Sequence, residues 1–115
     1  MTTLYGIPNC DTIRSARRWL TDHDIEYTFH DFRKNGLDEA LLRQWVSELG
    51  WEALLNKRGL TWRKLDQDTK DAIDETSAIR LMLEHVAMIK RPVLDMGDRR
   101  VLGFKLENYA ELFQQ

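Results

Sequence analysis

The chain has 115 residues, the size of one domain, and 43% of them are apolar, which is enough for a hydrophobic core. Its 17 Lys and Arg nearly balance its 19 Asp and Glu, so no overall basic field favours non-specific nucleic-acid binding. A single cysteine cannot close an intramolecular disulfide, which excludes a secreted disulfide scaffold. No His, Cys and carboxylate cluster has zinc spacing, and no segment is apolar enough to span a membrane. We expect a soluble cytoplasmic protein without a metal.

The chain from Leu4 to Leu20 combines a predicted strand with a predicted helix. The strand, residues 4–7, is short and apolar, and Pro8 ends it. From Asp11 onward the apolar residues recur at helical spacing, which predicts a helix. They are Ile13, Ala16 and Leu20.

Cys10 occupies the junction between these two elements, at or next to the helix N-cap. Unpaired backbone N–H groups and the positive end of the helix dipole stabilise a thiolate there. Arg14 adds positive charge, whereas the carboxylate of Asp11 opposes it. A lone cysteine can also be a small buried hydrophobic residue. The strand-Pro-Asn-Cys-helix order instead favours a reactive thiol, with a pKa below the value of about 8.5 for a free cysteine.

A second strand follows, because residues 25–32 alternate apolar and polar side chains. The intervening helix is a crossover, which predicts that the two strands are parallel and that their connection is right-handed. His23 and His30 are candidate bases, but a helix end and a polar strand face are positions where we expect solvated histidines.

Residues 35–87 form a mostly helical insertion. Asp38 caps a helix that ends at Gly50, and residues 51–55 form a further short helix. Residues 69–88 are helical in composition, with a break predicted around Thr76 and Ser77.

The most basic loop of the chain, residues 56–64, lies between those helices. Such a loop can be a solvated connection whose charges only aid solubility. A functional role for Arg58 is favoured because Gly59 follows it and lets the backbone approach another group closely. Trp62 can stack on a ligand, although a tryptophan at this spacing more often packs inward.

The last part of the chain predicts two strands and a helix. Pro92 opens the third strand, where its missing N–H is tolerated. Residues 96–99 form a turn, residues 100–104 form an antiparallel fourth strand, and residues 108–113 form a closing helix.

The opening Y-G-I-P-N-C-D-T-I-R-S-A resembles that of the ArsC/Spx family. This thioredoxin-like family includes glutaredoxin-coupled arsenate reductases and RNA-polymerase-binding Spx regulators. Arg58, residues 89–93 and residues 101–105 match further family motifs in the same order, and the sequence is most similar to the YffB branch. The resemblance implies one α/β domain over residues 1–115, with a thioredoxin-like four-stranded mixed sheet and flanking helices. Its core comprises residues 1–34 and 88–115, and the helical insertion comprises residues 35–87.

The resemblance also implies the functional residues. Cys10 and Arg91 would be catalytic, with Arg91 supplying charge to the thiolate and donors to an anion. A cis peptide bond before Pro92 would place its backbone beside the thiol, where it pairs with a bound thiol substrate. The expected substrate-binding residues are Asn9, Thr12, Arg14, Arg58, Pro92 and Lys105.

Three positions depart from the patterns of the arsenate reductases and of Spx. Lys105 lies near the position of an essential arginine and lacks the planar geometry that suits a tetrahedral oxyanion. Asn56 takes the place of another arginine, so that Arg58 is displaced by two residues. Ile13 stands where the redox-switch form of Spx has a second cysteine, so only an external thiol can resolve a mixed disulfide on Cys10.

Glutathione is the abundant external thiol in the cytoplasm, and its carboxylates suit these basic side chains. The leading hypothesis is a single-cysteine, glutathione-dependent thiol oxidoreductase, with glutathione as co-substrate and no bound cofactor. The alternatives are an arsenate reductase that uses glutathione and glutaredoxin, and a non-enzymatic Spx-like adaptor that binds RNA polymerase. Further expected partners are glutaredoxin or a protein thiol or disulfide. We expect a monomer that binds neither nucleic acid nor membranes.

Overall fold

The computed structural model describes residues 1–114. The chain forms two compact units, one from residues 1–35 together with the chain from residue 91 onward, and one from Gly36–Lys90. We call them the sheet unit and the helical unit. Among residues 1–114, no helix has the length and apolar character that crossing a membrane requires.

Residues 1–114 contain four strands and eight α-helices. The strands are β1 (Thr3–Gly6), β2 (Thr28–Asp31), β3 (Val93–Asp95) and β4 (Arg100–Leu102). The helices are α1 (Asp11–Asp22), α2 (Phe32–Asn35), α3 (Glu39–Leu49), α4 (Trp51–Leu54), α5 (Leu60–Arg63), α6 (Gln67–Asp71), α7 (Glu75–Glu84) and α8 (Leu106–Leu112), with a 3-10 helix at Val86–Met88.

The sheet unit contains a mixed four-stranded sheet with the order β2-β1-β3-β4. β1 is parallel to β2 and antiparallel to β3, and β4 is antiparallel to β3. The predicted thioredoxin-like mixed sheet and the parallel first pair are therefore confirmed. The second strand begins later than predicted. Asp24 has a positive φ of 57° and the N–H of Ile25 donates to Leu20 O, so these residues belong to the turn that ends α1.

The core of the sheet unit lies between one face of the sheet and the helices α1 and α8. Leu4 on β1 pairs in register with Leu94 on β3, and both side chains are fully buried. They pack in one cluster with Ala16, Trp19, Leu20 and Tyr109. Each fully buried leucine contributes about 1.5–3 kcal/mol, so this cluster holds α1 firmly on the sheet.

In the helical unit, α3, α4 and α7 contact one another and bury apolar side chains. Asp38 is the N-cap residue of α3, and Gly50 ends that helix with a φ of 89°, a conformation that glycine adopts readily. An isolated antiparallel bridge joins Leu55 to Ile89. The buried residues of this unit are Leu42, Trp45, Val46, Leu54, Leu55, Ala78, Ile79, Leu81, Met82, Met88 and Ile89.

The predicted break at Thr76 and Ser77 is wrong, because both residues lie in the first turn of α7. The break falls earlier, over residues 72–74. Asp74 and Ser77 form a capping box, in which the Ser77 N–H donates to Asp74 Oδ1 at 2.9 Å and the Asp74 N–H donates to Ser77 Oγ at 2.9 Å. The serine therefore starts this helix rather than interrupting it.

Candidate functional site

Cys10 lies between the end of β1 and the start of α1 and is the N-cap residue of that helix. Its backbone is extended, with φ −146° and ψ 128°, and its N–H donates to Pro8 O at 3.0 Å. Its own carbonyl accepts the first hydrogen bond of α1, from the Arg14 N–H at 2.9 Å. The side chain is half-buried and forms no disulfide. The sequence-based placement of the thiol at the helix start is confirmed.

Gly6 allows α1 to approach β1 closely. A Cβ atom at this position would lie 2.2 Å from Cδ1 and 3.0 Å from Cγ1 of Ile13. Ile13 is fully buried in the first turn of α1, three residues after Cys10. The missing side chain at residue 6 therefore sets the distance between the strand and the helix turn that carries the thiol.

Burial raises the pKa of Cys10, but hydrogen bonds to the sulfur outweigh it and hold the pKa below its ordinary value. The donors are the backbone N–H of Ile13, the side chain of Arg91 and the backbone N–H of Thr12. The positive charge of Arg91 lowers the pKa further. Two of the three donors are backbone groups at a helix start, which have no partner within the helix itself. The thiolate is therefore the favoured form over a wider pH range than for a free cysteine.

Arg91 is held beside the thiol by the start of β3. The Arg91-Pro92 peptide bond is cis, as the family resemblance implies. The Gly103 N–H donates to Pro92 O at 2.9 Å, which continues the pairing of β3 with β4 beyond the strand ends. Gly103 adopts a φ of 77° at this point. This hydrogen bond fixes the backbone of Pro92, the residue that follows Arg91.

The remaining predicted site residues are distributed as follows. Thr12 reaches the thiol through its backbone N–H, and its side chain is exposed. Arg14 forms an exposed salt bridge with Asp11, which engages its charge on the helix surface. Asn9 is exposed next to Cys10. Lys105 is the exposed N-cap residue of α8.

Arg58 belongs to the helical unit, where it is exposed and its N–H donates to Asn56 Oδ1 at 3.1 Å. Its predicted role toward Cys10 therefore stays a prediction. The same holds for the substrate contacts of Asn9, Arg14 and Lys105.

Sequence reasoning predicted backbone N–H donors at the helix start, and the structure identifies them as those of Ile13 and Thr12. It missed the contribution of Gly6. A glycine at the end of a buried strand, a few residues before a helix, indicates a close backbone approach and could have identified it.

A cysteine at a helix start beside an arginine and a cis-proline is the arrangement that the sequence motifs implied. A model of the ArsC family matches residues 5–112. The chain belongs to the ArsC family.

Solved structures of related proteins share the fold over nearly the whole chain. The YFFB protein is 49% identical with a TM-score of 0.92, covering 96% of this chain and 97% of that one. An arsenate reductase (ArsC) related protein from Brucella melitensis is 46% identical with a TM-score of 0.81, covering 99% and 95%. The global transcriptional regulator Spx of Streptococcus mutans is 31% identical over 90% of this chain and 77% of its own length. The chain is thus arsenate-reductase-like or Spx-like.

Proposed function

We propose that this ArsC-family protein is a single-cysteine, glutathione-dependent thiol oxidoreductase. The observation that carries the proposal is the lowered pKa of Cys10, whose sulfur accepts hydrogen bonds from Ile13, Arg91 and Thr12. The thiolate is the attacking form in disulfide exchange, so a lowered pKa raises the reactive fraction at neutral pH. The chain has one cysteine, and therefore the second thiol of the cycle comes from another molecule.

The cycle consists of two exchange steps. In the first, the Cys10 thiolate attacks a sulfur of a glutathione-containing disulfide. A bond forms between Cys10 and the glutathione sulfur, the original disulfide bond breaks, and the leaving thiolate takes a proton from solvent. In the second, the thiolate of free glutathione attacks the glutathione sulfur of the mixed disulfide. Oxidised glutathione leaves, and the Cys10 thiolate is restored.

Arg91 serves both steps. Its guanidinium stabilises the Cys10 thiolate before attack and again when Cys10 is the leaving group. Once the sulfur is bound in the mixed disulfide, the same planar donors are available for a glutathione carboxylate. Lys105 offers a second, more flexible cation for the other carboxylate, and Arg58 is a further predicted contributor.

The test is the reaction of the protein with oxidised glutathione over a range of pH, followed by mass spectrometry of the intact chain. We expect one glutathionyl group on Cys10, formed with a rate that follows the thiolate fraction. The Cys10→Ser variant gives no adduct. No adduct on the unmodified chain at millimolar oxidised glutathione would refute the proposal.

Arsenate reduction is the competing activity, and the same preparation distinguishes it. A thiolate and a doubly charged oxyanion repel each other, so several rigid donors must offset the repulsion. Arg91 is one planar donor, whereas Lys105 is a point charge on a flexible stem. We therefore expect absent or very weak arsenate turnover with glutathione and glutaredoxin. Turnover that Cys10→Ser abolishes would favour the arsenate reductase.

An adaptor function is the second candidate, because the regulator Spx is 31% identical over 90% of this chain. In this case Cys10 would be regulatory or vestigial, and the protein would bind RNA polymerase. Pull-down with purified RNA polymerase tests it directly. Binding that persists in the Cys10→Ser variant, together with no glutathione adduct on the unmodified chain, would favour the adaptor over the enzyme.

A further inference from the structure

The helical unit carries a long surface stretch that contributes no fully buried side chain to the core. From residue 56 to residue 77 no side chain is buried, and neither α5 nor α6 has a buried residue. The stretch nevertheless contains large apolar side chains. Leu60 is 66% exposed, and Trp62 and Leu65 are partly exposed. Exposed apolar area that is rimmed by polar residues is typical of a surface that another molecule covers.

The first part of this stretch, residues 57–64, is strongly basic, and we call it the basic segment. It contains four cations and no carboxylate, in a chain whose net charge is −2. Lys57 lies over the Trp62 ring, with Nζ 5.4 Å from the ring centroid. A cation in this position is held at the surface by the aromatic face and keeps its charge available.

An open pocket of about 310 Å³ adjoins the basic segment. Lys57, Arg58 and Lys90 line it, together with Glu52 and three uncharged residues. The Leu55–Ile89 bridge brings the two sides together, since the Asn56 N–H donates to Met88 O and the Lys90 N–H donates to Leu54 O, each at 2.7 Å. The position of Lys90 opposite Lys57 and Arg58 is thus fixed by backbone hydrogen bonds.

Among the described residues that line this pocket, Glu52 is the one carboxylate, and the three cations outnumber it. Within residues 1–114, none of Lys57, Arg58 and Lys90 forms an ion pair with a carboxylate. Three neighbouring like charges repel one another, and an anion that enters the pocket relieves this repulsion. The exposed Leu60 lies two residues after Arg58 in the chain.

We propose that the basic segment and its pocket form a docking surface for an acidic protein segment that carries an apolar side chain. A carboxylate of the partner enters among Lys57, Arg58 and Lys90, and the apolar side chain covers Leu60. This surface lies entirely within the helical unit, and the inference does not depend on the chemistry of Cys10.

The chain beyond the basic segment argues against a nucleic acid as the occupant. Residues 66–75 contain five carboxylates, Asp66, Asp68, Asp71, Asp74 and Glu75, and a single cation, Lys70. A polyphosphate chain that extended from the basic segment along this stretch would meet like charge. A short acidic peptide needs only the pocket and the leucine.

The experiment uses the full chain and a short blocked peptide composed of glutamate and leucine. Amide chemical shifts and calorimetry report where and how tightly it binds. We expect shifts confined to the basic segment and the pocket residues. Replacing the leucines of the peptide with serine, or its glutamates with glutamine, should weaken binding by about tenfold, because both parts of the surface contribute.

Two variants of the protein complete the test. The double change Lys57→Glu and Arg58→Glu should weaken peptide binding at least about tenfold, because it reverses the two charges that enter the pocket. The matched control is Arg33→Glu with Lys34→Glu, which makes the same change in net charge at two exposed cations of the sheet unit. We expect the control to bind the peptide as the unmodified chain does.

Several outcomes would overturn the inference. They are no binding of the peptide, equal loss of affinity in the control variant, and equal binding of the serine or glutamine peptide. Tighter binding of a single-stranded oligonucleotide than of the peptide would also overturn it and would identify the surface as a nucleic-acid site instead.

Discussion

The thiol site and the basic segment are built in opposite ways. Cys10 owes its lowered pKa to two backbone N–H groups at the start of α1 and to one arginine, all positioned by buried elements. The basic segment presents exposed side chains on a stretch in which no residue is buried. A site made of backbone groups depends on the packing of the core, so a small change in the volume of a buried side chain alters its geometry. A site made of exposed side chains can lose its charge without loss of folding.

The largest expected effect separates two leucines of the helical unit. Leu54 is fully buried and Leu60 is 66% exposed. Leu54→Ala should lower the free energy of unfolding by about 2–5 kcal/mol, because it removes buried area and leaves a cavity. Leu60→Ala should change it by less than about 0.5 kcal/mol, as expected for a surface side chain. Urea unfolding of both variants measures the difference, and similar losses would show that Leu60 has a structural role.

Two glycines extend the same comparison to the backbone. Gly6→Ala should cost about 1–3 kcal/mol, since the new Cβ would overlap the buried side chain of Ile13. It should also shift the pKa of Cys10, because the first turn of α1 must move. Gly59→Ala is the control. Gly59 has a φ of −78°, which alanine adopts readily, and a new Cβ would meet only the end of the Asn56 side chain, at 3.2 Å from Nδ2, so the change should cost less than about 1 kcal/mol. Equal effects of the two changes would contradict the close approach of α1 to β1.

Arg91 and Arg14 test which arginine acts on the thiol. Arg91→Met removes a hydrogen bond and a positive charge, so the pKa of Cys10 should rise toward its ordinary value and adduct formation at neutral pH should slow. Arg14→Met should shift the pKa of Cys10 less, because Arg14 is engaged with Asp11. The pH dependence of the alkylation rate of Cys10 gives both values. A larger shift from the Arg14 variant would reverse the assignment.

The smallest expected effect is a dependence of stability on pH. Burial raises the pKa of Cys10, whereas the hydrogen-bond donors and the charge of Arg91 lower it. The net shift is downward, so the folded state holds the thiolate better than the unfolded state does. The resulting stabilisation is complete above the unfolded pKa of about 8.5 and is lost as the pH falls through the folded pKa. The difference in unfolding free energy between the unmodified chain and Cys10→Ser should therefore grow with pH across this window. A difference that is flat or falls with pH would contradict the lowered pKa.

The sequence was most informative where local chemistry determines structure. The change from a short apolar run to helical spacing at Asp11 placed the start of α1 correctly, because strand and helix periods differ clearly. Family resemblance, rather than composition, implied the cis bond before Pro92. The close approach of Gly6 to Ile13 arises from tertiary packing, which no local pattern reports.

The errors lie where a side chain can either stop or start a helix. The polar Ser77 interrupts an apolar pattern and so predicts a break, yet its hydroxyl and backbone complete the capping box with Asp74. The basic loop likewise contains one helical turn, α5, which its charges did not indicate. In both places the helical and the non-helical conformation differ by a few hydrogen bonds at the surface, so composition alone does not decide between them.

The central claim is that the start of α1 and Arg91 hold Cys10 as a thiolate. The most direct measurement is the absorbance of the thiolate as a function of pH in the unmodified chain, with Cys10→Ser as the blank. The claim predicts an apparent pKa clearly below the value of about 8.5 for a free cysteine. An apparent pKa at or above that value would contradict it and leave no basis for thiol chemistry at this site.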